Sequence, residues 1–321
     1  MSINTDHNLP LAVVVCGPTG IGKTAFAIEL ARRFKGEIIG ADSMQLYRRM
    51  DIGTAKPSTE ELAAVPHHLI DVIDPAESYS AARFREDALR LMGEITGRSK
   101  LPLLVGGTML YYRALEQGLS DLPEADVRLR KALEEQMETQ GLEALHQRLK
   151  EVAPESASRI KPTDPQRILR ALEVYELTGS PLSEHYAKQE RDPLPYRVLR
   201  IALIPSDRGL LHQRIEKRFD QMLQQGFVDE VRHLYTRGDL DDSMPAIRAV
   251  GYRQVWQYLE GEWDYDTMRH KGIVATRQLA KRQLTWLRSM EGLEIYDSGC
   301  LDRAELVDRV RSFLSSTDQA S

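Results

Sequence analysis

Cysteine is nearly absent from this 321-residue chain; Cys16 and Cys300 cannot staple it, and neither has the paired neighbour of a zinc site. A reduced, cytoplasmic protein is the expectation. Long hydrophobic runs are missing as well. No stretch approaches the length of a membrane span, and the apolar run Leu11–Cys16 has no basic leader and ends in Gly17-Pro18, so neither insertion nor secretion is expected. Positive charge is not in excess: 43 Lys+Arg against 48 Asp+Glu leave −5, which speaks against a uniformly basic nucleic-acid binder but not against a local basic face. With 28% charged and 42% hydrophobic residues the composition is that of an ordinary globular chain rather than a disordered or coiled-coil one. Its length suggests two domains.

What is present begins with short apolar runs alternating with helical periodicity. Leu11–Cys16 reads as a strand buried on both faces, Lys23–Phe34 as a helix, and 37–40, 68–72 and 101–105 as further strands, with a helix over 81–95. This alternation predicts an α/β fold with a mainly parallel sheet, whose ligands bind beyond the carboxyl ends of the strands. From 124 to 188 the pattern is wholly helical, which reads as an inserted domain. Arg197–Ile204 resembles a returning core strand, followed by helices over 207–225, 227–237, 247–259 and 265–288. The expected division is a discontinuous core, 1–121 with 197–321, and an all-helical insert, 122–196.

The strongest motif is Gly17-Pro18-Thr19-Gly20-Ile21-Gly22-Lys23-Thr24, a G-x-x-x-x-G-K-[ST] phosphate loop between a strand and a helix. Glycines let backbone amides curl round phosphate oxygens, the helix N-terminus adds its dipole, Lys23 supplies charge and Thr24 a hydroxyl for Mg²⁺. No carboxylate closes the run 103–105, unlike the usual metal-holding strand of nucleotide triphosphatases. A small-molecule or nucleotide kinase nevertheless stays open, as does a nucleotide-switched, non-catalytic RNA binder. Asp42, at the end of the second strand, is either a general base or metal ligand, or a turn cap. Thr108 either meets a ligand or caps the next helix. The pair His67-His68 reads as structural. From Thr267 to Met290 there is no acid, while Arg269, Lys271, Arg277, Lys281, Arg282 and Arg288 are cationic, an electrostatic footprint for a phosphate backbone. Arg248–Arg253 and Gln166–Arg170 add further cations. Arg214 and Arg218 stand one helical turn apart, placed either for a diphosphate or for surface ion pairs.

Taken in order, 17–24, 41–47 (Ala-Asp-Ser-Met-Gln-Leu-Tyr), 50–57 (Met-Asp-Ile-Gly-Thr-Ala-Lys-Pro), 103–111, 164–173, 250–253 and 276–283 closely resemble the bacterial tRNA isopentenyltransferase family over roughly residues 11–290. The resemblance implies a core like that of phosphate-loop NTPases with an inserted helical tRNA-binding domain. It implies transfer of a dimethylallyl group from dimethylallyl diphosphate to N6 of the adenosine 3′ of the anticodon, in tRNAs reading codons that begin with U. Carried over by position, Asp42 is the general base, and Thr19 and Arg218 handle the diphosphate with the loop residues Gly17 to Thr24. Mg²⁺ is the cofactor, held by Thr24 through the diphosphate. Contacts to tRNA fall on Asp42, Ser43, Met44, Gln45, Thr108, Arg130, Gln166, Arg167, Ile168, Leu169, Arg170, Arg248, Gly251, Tyr252, Arg253, Arg277, Gln278, Lys281 and Arg282. A monomer is expected. The chain departs from the family in having Gly20-Ile21 where Ala-Ser is common, and Cys300 alone where eukaryotic relatives carry a zinc finger. A prenyltransferase acting on free adenine nucleotides is the nearest alternative.

Overall fold

The computed structural model describes residues 9–118, 122–123, 126–188 and 193–316. Six strands, β1 (Leu11–Cys16), β2 (Gly36–Ala41), β3 (His67–His68), β4 (Leu101–Gly106), β5 (Arg197–Ile204) and β6 (Leu293–Asp297), form one sheet in the order β3-β2-β4-β1-β5-β6. Every pairing is parallel. Helices α1 (Lys23–Arg33), α2 (Thr59–Ala64), α3 (Ala81–Gly97) and α4 (Met109–Gln117) belong to the first half. Next come α5 (Val127–Gln140), α6 (Leu142–Val152), α7 (Pro154–Arg159), α8 (Pro165–Thr178) and α9 (Leu182–Lys188). The chain finishes with α10 (Arg208–Gln224), α11 (Phe227–Tyr235), α12 (Tyr252–Leu259), α13 (Tyr265–Leu287) and α14 (Arg303–Ser315).

Two compact units result: residues 1–115 with 194–321, and residues 116–193. In the first, Val13 and Val15 of β1 point into one apolar cluster and Val14 and Cys16 into another, as expected of a central strand covered on both faces. The second unit packs Leu133, Leu145, Leu149, Ile168 and Leu172 into its own core.

Some expectations needed correction. The strand expected over 68–72 is only His67–His68, because Leu69 and Asp71 adopt positive φ (60° and 57°) and the backbone turns to hydrogen-bond the 45–46 segment instead. The helix expected from 247 begins at Tyr252. Its N-cap, Gly251, has a φ of 94° that ends any helix running through it. Elements β6, α2 and α14 had no expectation attached. In β6 only partly buried and exposed side chains occur, so its period-2 signal is weak.

Candidate active site

At the carboxyl ends of β1, β2 and β4 a cavity of about 840 Å³ opens. Thr19 to Thr24 line it, together with Asp42, Gln45, Arg218 and Gln283. Why the loop can sit there is visible at Gly17, where a Cβ would lie 2.4 Å from the Leu203 carbonyl oxygen. Lys23 folds back over the loop, donating from Nζ to the carbonyls of Gly17 (3.0 Å) and Pro18 (2.8 Å). An ammonium has three donors, so one remains for an anion. Burial lowers its pKa to about 8; the charge of Asp42 opposes that fall and the charge of Arg218 adds to it.

Arg218 extends from α10 into this cavity and into a small adjoining recess with Thr19, and it holds no hydrogen bond or ion pair among the described residues. Burial pulls its pKa down while Asp42 pushes back. Two partly desolvated cations face one carboxylate across a cavity, an arrangement that an entering polyanion relieves. Arg214, one turn earlier, is exposed and lines neither space.

Asp42 follows β2 directly. Its Oδ1 accepts the Met44 amide (3.1 Å), leaving Oδ2 without a partner among the described residues. Thr108 stands directly before α4, and its hydroxyl accepts the Ser43 amide (2.9 Å) and donates to Ser43 Oγ (3.2 Å), so it also pins the Asp42 turn. The cavity wall over 51–57 is held from several sides. Glu230 of α11 accepts the amides of Asp51 (3.0 Å), Ile52 (2.7 Å) and Gly53 (3.2 Å) and the Tyr252 hydroxyl. Gln45 donates to the carbonyl of Ala55 (3.2 Å), and Lys56 to those of Tyr47 (2.9 Å) and to the Asp71 carboxylate (2.6 Å).

Of the cations on α13, Arg269 is bound to Asp220 (2.6 Å) and Arg277 to Glu216 (2.7 Å) of α10, and Lys271 lies over the Trp263 ring. Lys281, Arg282, Arg248 and Arg253 are exposed, without ion pairs among the described residues, and Gln278 is exposed beside them. Tyr252 is not a surface aromatic: it is fully buried against Phe227, 5.0 Å between ring centroids. In the helical unit Gln166 and Arg167 are exposed, whereas Ile168 and Leu169 are core. Arg170 binds Glu173 (2.8 Å) and the Pro123 carbonyl (2.7 Å), and Arg130 pairs with Glu134 (3.0 Å). Glu230 and Gln283 were not singled out from sequence. For Gln283 a signal existed, since it lies on the apolar stripe of Ala280 and Leu287.

The chain is similar to known proteins over most of its length. The family described as IPP transferase matches residues 45–290 and that described as isopentenyl transferase matches 11–72. A tRNA dimethylallyltransferase of Thioalkalivibrio sulfidiphilus is 59% identical over 307 residues, 96% of each chain. One of Aromatoleum aromaticum is 58% identical over 279 residues, 87% of each chain. Among solved structures, the full-length tRNA isopentenylpyrophosphate transferase of Bacillus halodurans is 39% identical at a TM-score of 0.69, covering 97% of both chains. A eukaryotic dimethylallyltransferase acting on tRNA is 28% identical at 0.79, covering 96% of this chain and 79% of that one.

Proposed function

The chain belongs to the tRNA dimethylallyltransferase (IPP transferase) family, and on that premise we propose that it transfers the dimethylallyl group of dimethylallyl diphosphate to N6 of the adenosine 3′ of the anticodon. The observation that carries the reading at this site is the single cavity that holds Lys23, Arg218 and the half-free carboxylate of Asp42. A kinase could use both the loop and a base facing it, so it is the relatives that favour the transferase.

The chemistry follows from the groups. The N6 amine is a weak nucleophile because its lone pair is delocalised into the purine. As N6 bonds to C1 of the allylic chain and the C1–O bond breaks, the electron pair leaves with the diphosphate and the surplus N6 proton passes to Asp42 Oδ2. Leaving-group charge is met by the third donor of Lys23, by Arg218, and by loop amides at the start of α1. Reaching N6 requires the base to leave its stack, which an anticodon loop permits more cheaply than a duplex. Exposed Lys281, Arg282, Arg248 and Arg253 are suited to the RNA backbone.

Mg²⁺ fits the donor set in one way. Among the described residues no cluster of three His, Cys, Asp or Glu exists to hold a metal alone, whereas the Thr24 hydroxyl lines the cavity beside Lys23. Diphosphate oxygens and water would complete its shell with Thr24, and the ion would neutralise leaving-group charge.

The test is mass spectrometry of unmodified tRNA incubated with the protein, dimethylallyl diphosphate and Mg²⁺. A five-carbon gain on one adenosine, in tRNAs reading codons that begin with U, is expected. No gain on tRNA, or gain on free adenosine monophosphate instead, overturns the reading.

A further inference from the structure

Consecutive residues of α13 have opposite surroundings. Lys281 and Arg282 are exposed, and Gln283, the next residue, is nine-tenths buried. A primary amide in that position must satisfy both a donor and an acceptor. Its Oε1 accepts the Thr19 amide of the phosphate loop (3.0 Å), and its Nε2 donates to the Gly107 carbonyl just past β4 (2.9 Å). One partner can only donate and the other only accept, so the orientation of the amide is dictated. A Cβ at position 107 would lie 2.5 Å from Nε2; glycine is what admits the contact.

From Gly107 the connection runs on. The Thr108 amide donates to the Ala41 carbonyl (3.1 Å) and its hydroxyl accepts the Ser43 amide (2.9 Å), the two residues that flank Asp42. Phosphate loop and Asp42 come from β1 and β2, which are not neighbours in the sheet; β4 lies between them. Gln283 braces the end of that intervening strand against the loop.

We propose that Gln283 is a positioning residue for group transfer, fixing the separation between the loop that holds the leaving diphosphate and the turn that carries the base. The proposal rests on the prenyl-transfer reading above. A misplacement of about 1 Å between reacting groups costs on the order of 100-fold in rate, whereas binding is spread over many contacts. The parameter that moves is therefore kcat rather than KM.

The experiment uses the full chain with three variants: Gln283→Met, of similar length without polar atoms; Gly107→Ala, which wedges the clamp open; and the two combined. Steady-state kcat and both KM values are measured well below each melting midpoint. Gln283→Met is expected to lose about 100-fold in kcat with both KM values within about three-fold of wild type. Gly107→Ala reproduces that loss, and the double variant is no worse than either single one. Gln283→Glu, which keeps the acceptor for Thr19, shows a smaller kcat loss and is the variant to read should Gln283→Met not melt cooperatively. Wild-type kcat in Gln283→Met, kcat and KM moving together, or additive losses in the double variant each overturn the proposal. No transfer by the wild type overturns the parent reading instead, an outcome visible before any variant is compared.

Discussion

Asp42 has one oxygen tied to the Met44 amide and one free, so orientation and proton acceptance are divided within a single carboxylate. Asp42→Ala removes both, and kcat is expected to fall by about 10²–10⁴-fold with tRNA affinity within a few-fold, read by single-turnover kinetics and a filter-binding titration. Collapse of tRNA affinity instead would make Asp42 a recognition residue. Lys23 carries the second prediction at this scale. With its pKa lowered to about 8 by burial, the free enzyme loses that proton as pH rises through about 8, and the cation that meets the diphosphate goes with it. In a pH profile, kcat/KM for dimethylallyl diphosphate is expected to decline above about pH 8, and Lys23→Met to remove that limb; a profile flat to pH 9.5 in the wild type would contradict it. The phosphate loop was legible because its parts are contiguous in sequence. The inward position of Gln283 on its helix was legible, but its partners, 264 and 176 residues away, were not, because no local pattern announces them. At position 170 the sequence showed the cation but not its partner, the buried carboxylate of Glu173.

Elements explain why the cavity wall over 51–57 keeps its shape although it has no regular structure. The N-terminal turn of α11 presents Glu230 to three successive amides, and α12 adds the Tyr252 hydroxyl to the same carboxylate, so two helices hold one loop through one side chain. Glu230→Ala orphans all four donors. The expected cost is about 2–4 kcal/mol in urea unfolding, together with a raised KM for the diphosphate substrate; an unchanged midpoint would show the loop to be held by Gln45 and Lys56 alone. Helix α13 illustrates the limit of charge counting. The acid-free stretch from Thr267 to Met290 predicted an electrostatic footprint for a phosphate backbone, and there Arg269 and Arg277 are paired with acids on α10. Composition within one helix cannot report the charge of the helix packed on it. Lys281, Arg282 and Arg288 are exposed without ion pairs among the described residues.

At the scale of the molecule the strand-and-helix alternation was readable because each core strand is a contiguous apolar run, and the insertion because a long strandless stretch interrupts that rhythm. Edge strand β6 escaped because half-covered strands carry mixed residues. The sheet also has an acid-labile fastening. Glu37, at the start of β2, is buried and held by Arg98 (2.8 Å), Lys100 (2.9 Å) and His68 (2.7 Å). Burial alone would raise its pKa, but those bonds more than offset it and bring it from 4.5 to about 2. A depressed carboxylate stabilises fully above its unfolded value, so about 3 kcal/mol is expected to drain away as pH falls from 4.5 towards 2. Melting midpoints of wild type and Glu37→Gln should therefore differ at pH 7 and converge near pH 2–3; a constant gap would refute the assignment. The order β4-β1-β5 has a consequence for biosynthesis. Cys16 on the central strand meets Ile201 across 185 residues, so one hydrogen-bonding edge of β1 stays unpaired after β4 has emerged from the ribosome. At about 5–20 residues per second, the roughly 90 residues still to come leave that edge waiting for several seconds to some twenty. Throughout that interval the nascent chain exposes at its central strand a template for mispairing that the completed sheet hides.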